Sequence, residues 1–269
     1  MVQPQSQVVL ERDGVLKVER KGYALLLTLN RPERLNAVSL EMKESLEEVI
    51  KASALDPSVR VLIITGAGRA FCSGADVEAQ RDGANQSFDE RMARRRHWTP
   101  RQCKVYKPTI CAVNGMCASA GLHFVADCDI VIASEEAKFT DTHVNVGQIT
   151  VQEPIGLLRR MALGPVLRLA MLGKAERLTA QQALELQMVS EVVPADRLVP
   201  RALELAEILA NVSPATVQKS LQLIWESLDH FQQAQDNAYE TIMKHREHPD
   251  AKEGPRAFME KRQPKWVDQ

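Results

Sequence analysis

The run Val61-Leu-Ile-Ile-Thr-Gly-Ala-Gly-Arg-Ala-Phe-Cys-Ser-Gly-Ala-Asp-Val77 constrains the fold more than any other stretch of the chain. It opens on apolar and β-branched residues without alternation, the mark of a short strand buried on both faces. Such strands belong to parallel sheets covered by helices. Gly66, Gly68 and Gly74 then let the backbone turn tightly and come close to a ligand. A second small-residue turn, Asn114-Gly-Met-Cys-Ala-Ser-Ala-Gly121, also follows an apolar strand. Successive N–H groups in turns of this kind can hold a negative oxygen. Two of them aimed at one carbonyl would form an oxyanion hole.

The rest of the N-terminal half fits an α/β core. Strands are expected at 15–19 and 24–30, joined as a hairpin near Lys21-Gly22 and stopped at Arg31-Pro32. The spacing of Met42, Leu46, Val49 and Ile50 predicts a helix over 40–54, with Ser39 as N-cap and Glu41 in the first turn. Asp56-Pro57 ends it. Apolar strands follow at 59–65, 108–113 and 129–133, and 118–126 reads as a short helix buried on most faces. Residues 78–89 read as a polar loop and 88–105 as a basic helix. Strands alternating with helices predict a parallel sheet. From Pro154 onward helices are expected at 155–163, 166–172, 180–187, 197–211, 215–228, 231–245 and 252–262, with a short strand at 191–194.

Composition excludes several functions. A net charge of −1 provides no basic field for nucleic acid. The run Arg91, Arg94, Arg95, Arg96 lacks interleaved aromatics and reads as a solvated or subunit-facing helix face. The five cysteines are odd in number and lack paired C-x-x-C spacing, so they read as reduced, mostly buried thiols and not as metal ligands. No metal site is expected. The N-terminus has no basic segment followed by an apolar one, and no apolar run reaches transmembrane length. A cytoplasmic protein with no membrane partner is expected. The first glycine turn lacks the third glycine of a dinucleotide loop, which disfavours an NAD-dependent oxidoreductase.

Several segments carry a family resemblance: Leu29-Asn-Arg-Pro-Glu-Arg-Leu-Asn-Ala37, residues 66–76, Lys107-Pro-Thr-Ile-Cys-Ala-Val-Asn-Gly115, Ala126-Asp-Cys-Asp-Ile-Val-Ile-Ala133, Leu172-Gly173 with 180–193, and the tail Glu253-Gly-Pro-Arg-Ala-Phe-Met-Glu-Lys-Arg-Gln-Pro-Lys-Trp266. Together they resemble the crotonase superfamily, also called the enoyl-CoA hydratase/isomerase family. The order and spacing of the segments over nearly the whole chain carry the match, not one motif. The resemblance implies an α/β fold with a crotonase-like ββα spiral core of two perpendicular sheets over 1–195, holding an acyl-CoA site. It implies a C-terminal helical oligomerisation region over 196–269, giving a homotrimer or a dimer of trimers. The implied substrate is an acyl-CoA thioester that reacts through an enolate, with coenzyme A as part of the substrate and no separate cofactor.

Residue by residue, the resemblance places the oxyanion amides at Ala75 and at Ala120, where Ser119-Ala-Gly121 replaces a glycine run. A site needing positive φ would strain an alanine there. The two positions that usually hold catalytic glutamates carry His123, three residues after Ala120, and His143, four after Phe139. A neutral imidazole, with a free pKa of about 6.5, can abstract a proton or activate water. Loss of two negative charges also favours a nearby enolate. His123, in Leu122-His-Phe-Val125, reads equally as a core histidine with one satisfied hydrogen bond. Asp141 reads as the carboxylate orienting His143 or as a turn cap. Glu153, before Pro154, reads as a carboxylate of the site or as a helix N-terminal charge. His97, His230, His245 and His248 read as solvated. Arg34 and Leu35 are implied CoA contacts, and Phe258 and Lys261 are implied to reach a neighbouring subunit's CoA; Lys261 also reads as a solvated helix face. Hydration or isomerisation of an enoyl-CoA is the expected activity. The paired histidines leave open a hydrolase that cleaves a C–C bond of a β-dicarbonyl substrate with histidine as base. Loss of both glutamates leaves open a non-catalytic acyl-CoA-binding protein.

Overall fold

A computed structural model describes residues 14–76, 90 and 95–267. Its strands, in chain order, are Leu16–Lys21 (β1), Ala24–Leu29 (β2), Val61–Gly66 (β3), Ala70–Cys72 (β4) and Thr109–Val113 (β5). Met116–Ala118 (β6), Ile130–Ser134 (β7), Lys138–Thr140 (β8), Leu178–Thr179 (β9) and Glu191–Val193 (β10) follow. The larger sheet has the order β1-β2-β3-β5-β7-β10 and the smaller one β4-β6-β8-β9. The hairpin β1–β2 is antiparallel, with Leu16 opposite Leu29, and every later neighbour in the larger sheet is parallel. The units β3–β4, β5–β6 and β7–β8 each send one strand to either sheet. The chain thereby spirals between two layers.

Both faces of the larger sheet are covered, which is why β2, β3 and β5 are apolar at nearly every position. Leu40–Leu55 (α1) buries Met42, Leu46, Val49 and Ile50. The Ser39 Oγ caps it by accepting from the Met42 N–H at 3.2 Å. The other face takes the helix Leu198–Ala210, whose Leu198, Ala202 and Ala206 pack with Leu26, Ile63 and Ile110. This helix lies in the C-terminal region of the sequence but packs into the core. The intervening helices are Leu122–Asp127 (α2), Gln152–Leu157 (α3), Leu163–Leu172 (α4) and Ala180–Glu185 (α5). Numbering Leu198–Ala210 as α6, the chain continues through Pro214–Glu226 (α7), Asp229–His245 (α8) and Pro249–Met259 (α9). The Trp225 Nε1–H on α7 donates at 2.7 Å to Asp129, whose oxygens also accept from Arg101 at 2.6 and 2.7 Å.

The second sheet implied by the resemblance is present, but residue patterning does not pick out its short strands β4, β6 and β8, which lie in the stretches read as glycine turns and loop. The expected helix over 88–105 does not extend through 95–105, although residue 90 is helical. Residues 95–98 are non-helical, and 99–104 form a turn ending at Lys104, φ 55°. Pro100 is the physical reason, because a proline disfavours the α conformation in the residue before it. The remainder of that expectation, the 78–89 loop, Arg91, Arg94 and the N-terminal residues 1–13 lie outside the described residues. Arg95 pairs with Asp236 and lies over the Tyr239 ring, and Arg96 pairs with Glu44 at 3.1 Å. No helix among the described residues is long and apolar enough to cross a membrane.

Candidate active site

Three neighbouring parallel strands of the smaller sheet end at one place. β4 runs into Ser73-Gly-Ala75, β6 into Ser119-Ala120, and β8 into Asp141-Thr-His143. Ligands gather at the carboxyl ends of parallel strands because the turns there expose free backbone groups. Ala75 bridges Val38 in parallel: the Val38 N–H donates to the Gly74 carbonyl at 2.8 Å, and the Asp76 N–H to the Val38 carbonyl at 3.1 Å. With both flanking residues bonded to Val38, the Ala75 amide points away from it. Gly74 has φ 118°, and a Cβ on it would stand 3.5 Å from the Ser119 Cβ, so the two turns are in contact. The positive φ of this turn falls on Ser119, at 45°, and not on Ala120, so the alanine is unstrained. The Ser119 Oγ accepts from the Thr142 N–H at 3.0 Å, which ties that strained residue to the β8 loop.

Arg34 and Leu35 act on the first turn through their main chain. The Ser73 N–H donates to the Leu35 carbonyl at 3.0 Å and its hydroxyl to the Arg34 carbonyl at 3.4 Å. Beside them the fully buried Asn36, φ 57°, donates to the Ala67 and Ala70 carbonyls at 2.8 and 2.7 Å.

The structure brings Asp141, His143, Glu153 and His123 into one chain of contacts. The His143 Nδ1–H donates to Asp141 Oδ1 at 2.6 Å, and the His143 main-chain N–H meets the same oxygen at 3.1 Å. The Thr150 hydroxyl donates to the other carboxylate oxygen of this buried aspartate. Glu153, on α3, places Oε1 3.8 Å from His143 Nε2 and 3.2 Å from His123 Nε2. His123 is buried and its Nδ1 has no hydrogen-bond partner among the described residues, while the Trp98 ring meets it edge-on at 5.0 Å. The two readings of His123 therefore coincide. Among the described residues, the hydrogen-bonding contact of its ring is the Glu153 carboxylate.

Charge pairing decides the protonation states. Burial opposes the charged form of His143, but the Glu153 charge and the Asp141 hydrogen bond override it and raise the ring to about 9. Burial likewise pushes Glu153 up, and the charges of His143 and His123 with the His123 hydrogen bond hold it below the usual carboxylate range. The expected neutral imidazole is thus replaced at neutral pH by an imidazolium facing a carboxylate. The donor atoms of Asp141, His143 and Glu153 all lie within 4.8 Å of one another. A cation there would have to displace the proton shared by His143 and Asp141. The five cysteines are free thiols, and burial pushes Cys72 to about 12, which leaves it protonated and unreactive.

The C-terminal helices hold the His143 loop, which the sequence reading missed. The His245 Nε2–H donates to the Gly147 carbonyl at 2.9 Å, so His245 is not the solvated residue it was expected to be. The Gln148 side chain donates to the Ala251 carbonyl at 3.2 Å. Gly254 of α9 lies so close to Val146 that any Cβ would overlap its main chain. Phe258 and Lys261 are exposed at the end of that helix.

The α/β fold of this chain is shared by known proteins. The enoyl-CoA hydratase/isomerase family profile matches residues 19–269. The chain is 35% identical over 256 residues to 2,3-dehydroadipyl-CoA hydratase of Escherichia coli, covering 93% of this chain and 97% of that one. It is 36% identical over 266 residues to the 1,2-epoxyphenylacetyl-CoA isomerase of the same organism, covering 94% and 98%. Its fold superposes on the crystal structure of carnitinyl-CoA hydratase from Mycobacterium avium with a TM-score of 0.82 and 30% identity, covering 96% and 100%. An enoyl-CoA hydratase/isomerase structure from Mycobacterium paratuberculosis gives a TM-score of 0.74 at 38% identity, covering 95% and 99%. The chain belongs to the enoyl-CoA hydratase/isomerase family.

Proposed function

We propose that this protein adds water reversibly to the carbon–carbon double bond of an enoyl-CoA thioester, through an enolate held by the amides of Ala75 and Ala120. One observation carries the reading: a single Glu153 oxygen stands between two imidazoles beside the two amide-bearing turns. Glu153 takes a proton from water as the water oxygen bonds to the β-carbon. The π electrons move onto the α-carbon and thioester oxygen, where two N–H donors stabilise the growing charge. The His143 Nε2–H then protonates the α-carbon and restores the carbonyl. The proton on Glu153 returns to His143 across 3.8 Å, which resets the pair. Asp141 fixes the ring's orientation, as the carboxylate of a triad does.

The relatives support the class, since one is named a hydratase and another an isomerase of CoA thioesters. Hydrolysis of a C–C bond needs a neutral histidine as base and loses support from a ring raised to about 9. A buried Glu153 in the cluster likewise weakens the non-catalytic reading. Arg34 and Leu35 as CoA contacts, and Phe258 and Lys261 reaching a neighbouring subunit's CoA in a homotrimer or dimer of trimers, belong to the same proposal. The test is crotonyl-CoA in 18O-labelled water and in D2O. The expected product is 3-hydroxybutyryl-CoA with 18O on C3 and deuterium on C2. A shifted double bond without 18O would make the enzyme an isomerase, and no turnover or exchange with any bound enoyl-CoA would overturn catalysis.

A further inference from the structure

Lys43 sits on the wrong side of α1 for a solvated lysine. The buried stripe of that helix includes Met42, Leu46 and Ile50, and Lys43 lies three residues before Leu46 and seven before Ile50. Spacings of three and seven share a helix face. The neighbouring acids of α1 are engaged elsewhere, Glu44 with Arg96 at 3.1 Å and Glu47 with Lys51 at 2.6 Å. The Lys43 main-chain N–H donates to the Ser39 carbonyl at 3.1 Å, but its ammonium has no hydrogen bond or ion pair among the described residues. Its ammonium lies 5.7 Å from the centroid of Trp98, the buried ring that packs edge-on against His123 at 5.0 Å. Burial, and then the like charge of Arg246, push its pKa down, while Glu153 pushes it up. Its charge is also felt at Cys72, just before the Ala75 turn. Lys43 therefore lies beside Trp98 and close enough to Glu153 for their charges to interact.

We infer that Lys43 is a specificity-determining residue that receives a carboxylate on the acyl group, so that the substrate is the CoA thioester of a dicarboxylic acid. The inference rests on the acyl-CoA reading above. A desolvated ammonium without a direct ion-pair partner costs free energy, which a neutral acyl chain would leave uncompensated. A substrate carboxylate in contact with it supplies that partner and discriminates against neutral chains of equal length.

Calorimetric binding of glutaryl-CoA, pentanoyl-CoA and free CoA to the native protein, K43M and K43R tests this without turnover. Glutaryl-CoA is expected to bind the native protein at least about tenfold tighter than pentanoyl-CoA, a preference that K43M loses and K43R largely keeps. Equal binding of the two thioesters by the native protein overturns the assignment. So does a K43M loss that is the same for all three ligands, which would place Lys43 on the CoA phosphates or in the scaffold. A preserved preference without turnover of any enoyl-CoA would remove the catalytic reading and leave this one standing.

Discussion

Glu153 Oε1 lies 3.2 Å from His123 Nε2, in a space where neither side chain is more than 7% exposed. Burial of a carboxylate ordinarily favours its neutral form. Here the imidazoles of His123 and His143 reverse that preference, and Glu153 in turn keeps His143 charged. The base and the acid of the proposed reaction therefore exist only as a pair.

Replacing Glu153 by glutamine keeps the volume and removes the charge. The expected loss in kcat is about 10²- to 10⁴-fold, the usual contribution of a positioned acid–base group. The same change should lower the His143 pKa from about 9, because the Glu153 charge is the largest influence raising it. Ring-nitrogen NMR titration reads that shift directly. An unmoved His143 titration in E153Q would break the proposed coupling even if activity fell.

The raised His143 pKa also fixes the direction of the pH dependence. Activity needs the imidazolium and the carboxylate, so kcat/KM is expected to be flat from pH 6 to 8 and to fall above about 9. In stability, a group whose folded pKa exceeds its unfolded value contributes fully below the unfolded value and loses that contribution as pH rises through the folded one. His143 should stabilise the fold below pH 6.5 and cease to do so above about 9. The shift corresponds to a ceiling on the order of 3 kcal/mol. Urea unfolding at pH 6 and 9 should show this decline in the native protein and a smaller one in D141N, which removes the hydrogen-bonded partner of Nδ1. Equal declines in both would assign the dependence to other groups.

Much of this was legible from residues, but not the part that gathers them. The strands around Leu62, Ile110 and Val131 announce themselves as apolar runs, and α1 by its period. Resemblance then picked out His143, His123 and the neighbourhood of Glu153, and Asp141 followed from its place two residues before His143. The strands β4, β6 and β8 have three residues each, too few for any period to register, yet they align the three turns of the site. The protonation states were also hidden. They depend on the distance between Glu153 and two imidazoles, and Glu153 is separated by ten residues from His143 and by thirty from His123. Lys43 carried a signal in its position on the apolar stripe of α1, which the periodicity alone had made available.

Asn36 is expected to hold the turn that carries Ala75, the first of the proposed oxyanion amides. Its side chain donates to the Ala67 and Ala70 carbonyls, and its Oδ1 accepts from the Arg31 N–H at 2.9 Å. Its φ of 57° suits asparagine better than most residues. Asn36→Ala would leave buried groups unpaired, at a cost of about 2–4 kcal/mol in unfolding free energy. Because Ser73 hangs on the adjacent Leu35 carbonyl, the variant should also lose kcat/KM at temperatures where it remains folded. A destabilised variant with unaltered kcat/KM would confine Asn36 to the scaffold.

Gly254 offers the cleanest way to move His143 without touching it. It lies on α9, and Val146 at the end of the His143–Val146 turn packs directly against it. A methyl group at 254 cannot fit beside the Val146 main chain, so either the helix or the turn must shift. The helix is also bound to this loop through the Ala251 carbonyl, which makes displacement of the turn the shared consequence. Gly254→Ala should cost about 1–3 kcal/mol of stability. It should also lengthen the His143–Glu153 separation and lower the His143 pKa, with kcat falling more than acyl-CoA affinity. Parallel losses in kcat and binding, with the His143 titration unchanged, would show instead that α9 supports the fold without positioning the imidazolium.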